Sequence, residues 1–118
     1  MADIKTEYFS CPIRQVISRF GDKWSLLVLY TINETQSGVI RFNELRRQMS
    51  DCSQKMLSQT LKNLEQSNLV HRVVYPEVPP RVEYSLTDTG KSLMPFISAL
   101  IAWAKEHFND VTHHQVIK

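Results

Sequence analysis

Apolar positions along this chain recur mostly at helical spacing. Ile13, Val16, Ile17 and Phe20 return every three or four residues, which predicts a first helix with Ser10 as cap, Pro12 in its first turn and Gly21 as its stop. Asp22 caps a second helix in which Trp24, Leu27, Val28 and Ile32 share one face. Leu26, Leu29 and Tyr30 carry the apolar surface round its other side, so this helix is expected deep in the core. The turn formers of Asn33 to Gly38 end it, and a brief extended piece, Val39 to Phe42, leads into a third helix. That helix, Asn43 to Met49, turns Leu45 and Met49 inward and Arg46 and Arg47 outward. After a turn at Ser50 to Cys52, Ser53 caps a fourth helix that runs through Gln66 and closes at Ser67 and Asn68.

The fourth helix has two unlike faces. Leu57, Leu61 and Leu64 form one stripe. With about 100° per residue and Leu57 at zero, Lys55, Ser58, Gln59, Lys62 and Gln66 fall between about 100° and 200°. The only acid near that arc is Glu65, at its edge. The period then changes to two. Leu69 to Tyr75 alternates, Pro76 to Pro80 makes a stiff loop, and Arg81 to Leu86 alternates again, which predicts a hairpin with Tyr75 and Tyr84 packing at its base. Thr87 caps a last long helix, with Asp88 in its first turn as the helix dipole prefers. Its apolar stripe, from Leu93 to Phe108, covers about half the circumference, more than one core contact needs. A stripe that wide calls for two partners, the domain's own core and a second copy of the chain.

Composition narrows the class. The 118 residues are 42% apolar and 22% charged, which fits one compact soluble domain, with an ordered core from about Cys11 to Phe108 and a flexible tail from Asn109. A chain of this length buries roughly two-thirds of its unfolded surface and needs no disulfide or metal to hold a core. Two cysteines make no disulfide framework, and no apolar signal segment follows Met1, so a cytoplasmic protein is expected. The longest uncharged run, Ser92 to Ala104, has 13 residues and contains Pro95, short of the ~20 a membrane helix requires. Net charge is +2, from 14 Lys and Arg against 12 Asp and Glu. Such a mild excess does not by itself identify a nucleic-acid binder, so the placement of the positive groups decides. No phosphate loop, dinucleotide glycine fingerprint or zinc-type spacing is present, since Cys11 and Cys52 lie about forty residues apart. No enzyme activity, cofactor or metal site is therefore expected. His113 and His114 read as tail, His71 as structural and Trp24 as core.

Four helices, a hairpin and a closing helix, mainly α with a small β hairpin, is the layout of a winged helix-turn-helix domain. Asn43 to Met49, the turn and Ser53 to Gln66 supply the helix-turn-helix, and the hairpin tip is the wing. Four strings then resemble the HxlR-type family of bacterial transcriptional regulators: Cys11-Pro-Ile-Arg through Gly21-Asp-Lys-Trp24; Phe42-Asn-Glu-Leu-Arg46; Ser53-Gln-Lys-Met-Leu57-Ser-Gln-Thr-Leu61; and Tyr75-Pro-Glu-Val-Pro-Pro-Arg-Val-Glu-Tyr84-Ser-Leu-Thr-Asp-Thr-Gly90. The resemblance runs from about Cys11 to Phe108. One departure is the segment Asn33 to Ile40, a few residues longer than the family's compact turn. The resemblance implies a homodimer joined through its first and last helices, with Ile13, Phe96, Leu100 and Trp103 as contacts, bound to pseudo-palindromic double-stranded operator DNA.

On that reading Ser53, Gln54, Lys55, Ser58, Gln59 and Lys62 face the major groove. Amides pair with adenine and lysine with guanine or phosphate, while serine lets the backbone approach. Arg46 and Arg47 hold the DNA backbone. Taken alone, the same arc is an ordinary solvated face, or the docking surface of a winged-helix module for an acidic protein partner. Arg81 either enters a minor groove at the wing or pairs with Glu83 or Glu77. Trp103 either meets the partner or covers its own core. Both cysteines stand at helix starts, where the dipole and nearby cations enrich the reactive thiolate. The resemblance implies an oxidant- or electrophile-sensing role for Cys11; if Cys11 pairs with Cys52 of the partner subunit, the recognition helices are re-spaced and operator affinity changes. The other reading of each is a small buried residue.

Overall fold

Three side-chain caps set helix starts in the computed structural model, which describes residues 11–113. The Asp22 carboxylate accepts from the Ser25 amide at 3.0 Å, the Ser53 hydroxyl from Met56 at 3.0 Å, and the Thr87 hydroxyl from Gly90 at 2.9 Å. The elements run α1 Pro12–Ile17, α2 Lys23–Glu34, β1 Val39–Arg41, α3 Phe42–Gln48, α4 Gln54–Gln66, β2 Val70–Tyr75, β3 Arg81–Leu86, α5 Asp88–Glu106 and α6 Phe108–Thr112. Ser10, expected as the first cap, lies outside the described residues; Cys11 stands at that helix boundary without a side-chain cap bond.

The core gathers where α2, α4 and α5 meet the sheet. Val28, Leu29 and Ile32 of α2, Leu45 of α3 and the α4 stripe Leu57, Leu61 and Leu64 are fully enclosed, with Met94 and Ile97 closing the α5 side. Trp24 packs half-buried against this cluster, with Lys23 Nζ 5.0 Å above its ring. The sheet has three antiparallel strands in the order β1-β3-β2. The expected hairpin is β2 and β3, and the extended piece Val39–Arg41 joins it as a third strand. The extended piece after Gly38, whose φ of 77° only glycine adopts readily, pairs Ile40 with Tyr84 and so buries both. The α4 terminus is closed by Asn68 in the left-handed region, φ 60°, with Asn68 N–H donating to Glu65 and Leu69 N–H to Leu64.

Two more boundaries differ from the reading of the sequence. The first helix ends at Ile17 and continues as turns to Phe20, and residues Phe108–Thr112 form α6 where a flexible tail was expected. The α5–α6 junction is packed: the Trp103 and His107 rings stack at 4.5 Å, and His113 sets its edge against Phe108. His114 lies outside the described residues. Among the described residues no helix is long and apolar enough to cross a membrane.

Candidate nucleic-acid interface

α3, the turn and α4 form the helix-turn-helix. Leu45 and Met49 pin α3 to the core, which leaves Arg46 and Arg47 outside. The turn is held by Met49 N–H donating to Leu45 and Cys52 N–H to Met49. Ser53 then starts α4 through its hydroxyl. Because Leu57, Leu61 and Leu64 fix the rotation of α4, the opposite arc follows: Lys55, Ser58, Gln59 and Lys62 are all exposed, as are Ser53 and Gln54 at the start of the helix. Gln59 Nε2 donates to Asn63 Oδ1 at 2.9 Å, a surface bond that leaves the Gln59 carbonyl oxygen accessible.

The cations around this arc divide into paired and unpaired groups. Arg47 donates to Glu44 at 2.7 Å; this bond holds the Glu44 carboxyl below its ordinary range and raises the Arg47 guanidinium. Gln48 adds a second bond to the same carboxylate. Among the described residues Arg46, Lys55 and Lys62 make no ion pair. Arg72 belongs with them, although reading the sequence missed it. It pairs across the sheet with Tyr84 and lines a cleft of about 430 Å³ with Ser58 and Lys62. The available signal was the alternation of β2, which puts Arg72 two residues along from buried Val70 on the same face.

At the wing, pairing prevails over the minor-groove expectation. Arg81 lies opposite Tyr75 with its guanidinium 4.0 Å from that ring, 3.4 Å from Glu83 and 3.5 Å from Glu77. Its side chain is only 26% exposed, and Glu83 is shared with Arg41. The wing arginine is therefore a structural link across the hairpin in this state. Tyr84 is buried as expected, though at mid-strand opposite Ile40 and Arg72, whereas Tyr75, expected at the base of the hairpin, stands beside its tip loop and carries the arginine.

Cys52 had two readings, a thiol activated at the start of α4 or a small buried residue, and it turns into the core with 5% of its surface exposed. Burial pushes this thiol up and Asp51 adds to the effect, against a smaller opposing pull from Lys23. Cys11 is half-buried at the start of α1.

The candidate dimer residues lie on one kind of surface. Ile13 is 68% exposed and α1 buries none of its residues, while Phe96, Leu100 and Trp103 stand on the outer side of α5, opposite buried Met94 and Ile97. Among the described residues no cluster of His, Cys, Asp or Glu could hold a metal ion.

Comparison with known proteins gives a consistent set. Residues 19–112 match the HxlR-like helix-turn-helix family. An HTH-type transcriptional regulator of Methanothermobacter thermautotrophicus is 44% identical over 103 residues, 87% of this chain and 76% of that protein. Among solved structures, the transcriptional regulator ytfH from Salmonella typhimurium is similar with a TM-score of 0.78 at 38% identity, over 94% of this chain and 95% of that one. The redox regulator HypR in its reduced form gives a TM-score of 0.77 at 35% identity, over 87% of this chain and 99% of its own.

Proposed function

Because this chain belongs to the HxlR-like helix-turn-helix family of transcriptional regulators, we propose that it acts in the cytoplasm as a homodimer and binds operator DNA with α4 in the major groove. The family is one of regulators, not of enzymes. The observation that carries the reading is the α4 arc, where lysines, amides and a serine stand exposed together opposite a leucine core. Gln54 and Gln59 then select bases, Lys55 and Lys62 reach guanine or phosphate, and Arg46 holds the backbone. Arg47 joins only by exchanging Glu44 for phosphate. An exposed pair in water adds little to stability, so that exchange costs little. Arg81 has two carboxylates and a ring to leave, so the wing contributes shape more than charge.

The two protomers meet, on this reading, through α1 and the outer side of α5, where Ile13, Phe96, Leu100 and Trp103 need covering. Sequencing DNA selected from a random pool tests the proposal. The expected result is an inverted repeat with half-sites about 34–36 Å apart or a multiple of that, one per protomer; a pool with no enriched sequence refutes it. Arg46→Ala should weaken every duplex and reduce the salt slope, whereas Gln59→Ala should change the preferred bases. Equal losses on operator and random DNA for both would count against the arrangement, and a preference for acidic protein over duplex would favour an interaction module instead.

Cys11 is the thiol we assign to a redox response, supported by the likeness to HypR and by the burial of the other cysteine. Operator affinity measured in reductant and in diamide, for wild type and Cys11→Ser, decides it. A response in wild type that the variant lacks supports the assignment, and identical affinities remove it.

A further inference from the structure

The geometry points to a phosphate clamp shared by α4 and the wing, built from Lys62 and Arg72, which line one cleft together with Ser58. It rests on the DNA-binding reading above and adds to it a residue from the hairpin. Val70, Arg72 and Val74 share one face of β2, since side chains alternate along a strand. At Val70 that face is buried in the core, and at Arg72 it emerges beside α4. Arg72 sits opposite Tyr84, and the cleft it lines is completed by Ser58, Lys62 and Glu65, with Phe42 and Tyr84 among its walls.

Charge is what singles this cleft out. Arg41, Arg47 and Arg81 each have a carboxylate within 4.0 Å. Lys62 and Arg72 have none among the described residues, although Glu65 lines the same cleft. Two cations without an ion pair around one opening, with the Ser58 side chain on the same wall and Glu65 as the one acid, leave net positive charge that suits a singly charged phosphodiester. The guanidinium offers a planar fork of donors and the ammonium a compact charge. The position is apt, because a strand leaving the major groove beside α4 must pass the hairpin, and contacts there fix register without reading sequence.

The test is salt-dependent binding of the full chain to a 30-base-pair random duplex and to a duplex selected from a random pool. Arg72→Ala and Lys62→Ala should each weaken binding about tenfold on both duplexes, the scale of one charge-assisted hydrogen bond. Because one phosphate is shared, either cation alone still neutralises it. The single variants should therefore keep most of the salt slope, and the double variant should lose about 0.9 per protomer. Arg72→Lys should recover most of the affinity, and all variants should melt as wild type does. A double variant that loses about 1.8 per protomer means two separate phosphates and overturns the clamp. A double variant with unchanged binding overturns it too, as does an Arg72 variant that alters the preferred bases. In all three cases wild type still binds duplex and the DNA reading stands; if wild type binds no duplex, that reading fails with the clamp.

Discussion

Phe96 and Ile97 are neighbours on α5, yet their replacement by alanine should fail in different ways. Phe96 is 73% exposed and Ile97 2%. Burying a whole phenylalanine side chain is worth about 1.5–3 kcal/mol, and about three-quarters of that remains to be gained by Phe96 on association. Phe96→Ala should therefore cost about 1–2 kcal/mol per protomer. In a two-fold interface both copies lose it, so the dimer weakens by about 2–4 kcal/mol, or roughly 30- to 1,000-fold in dissociation constant. Ile97→Ala instead opens a cavity in the protomer and should cost about 2–5 kcal/mol of folding stability. Sedimentation equilibrium over a concentration series reads the first effect, and urea unfolding at fixed concentration reads the second, since dimerisation makes apparent stability depend on concentration. A dimer constant for Phe96→Ala within about threefold of wild type would falsify the assignment of this face.

Gly90→Ala should destabilise, because a Cβ there would lie 2.2 Å from the Leu69 carbonyl oxygen; overpacking of this kind costs about 1–3 kcal/mol, more than the ~1 kcal/mol that alanine gains in a helix. A raised thermal midpoint at equal protein concentration would contradict that. Iodoacetamide at mildly alkaline pH should label Cys11 much faster than Cys52, which is covered and whose thiol burial pushes up; equal rates in the native protein would overturn the placement. Glu44 titrates below its ordinary value because Arg47 donates to it, so its contribution to stability is present above the unfolded-state pKa and is lost as pH falls through the lowered folded-state one. Arg47→Ala should move the Glu44 titration midpoint up in an NMR series, and no movement would mean that the pair does not persist in solution.

The main frame was legible because local chemistry determines it. Asp22, Ser53 and Thr87 are caps in sequence and in structure, and three leucines at i, i+4 and i+7 fix which side of α4 faces out. What was not legible depends on pairing between distant segments. Three residues, Val39–Arg41, carry too short a pattern to announce a strand, and only Tyr84 and its neighbours give them a partner. Arg81 had Glu77 and Glu83 nearby, but the hairpin register that sets it over Tyr75 decides between pairing and DNA. The same register brings Arg72 to α4. For Cys52 the sequence left an activated thiol and a small buried residue both open, because position along the helix axis does not say which way the side chain turns.

One joint connects the groove helix to the proposed dimer face. Leu69 N–H closes the end of α4 by donating to Leu64, and the Leu69 carbonyl accepts from Thr87 N–H. The Thr87 hydroxyl donates to the Asn68 carbonyl at 2.7 Å and accepts from Gly90, whose missing side chain lets the first turn of α5 lie against Leu69. The end of α4, the start of the wing and the start of α5 are thus a single hydrogen-bonded knot, so a rigid rotation of α5 would carry the end of α4 with it. From Gly90 to Trp103 the helix rises about 20 Å at 1.5 Å per residue. A tilt of about 10° at the Trp103 end therefore moves the knot by about 3–4 Å, roughly a tenth of the ~34 Å that separates successive major grooves on one face of DNA. In the proposed dimer, small adjustments where α1 and α5 meet the partner are sufficient to bring the two α4 helices into or out of register with the operator.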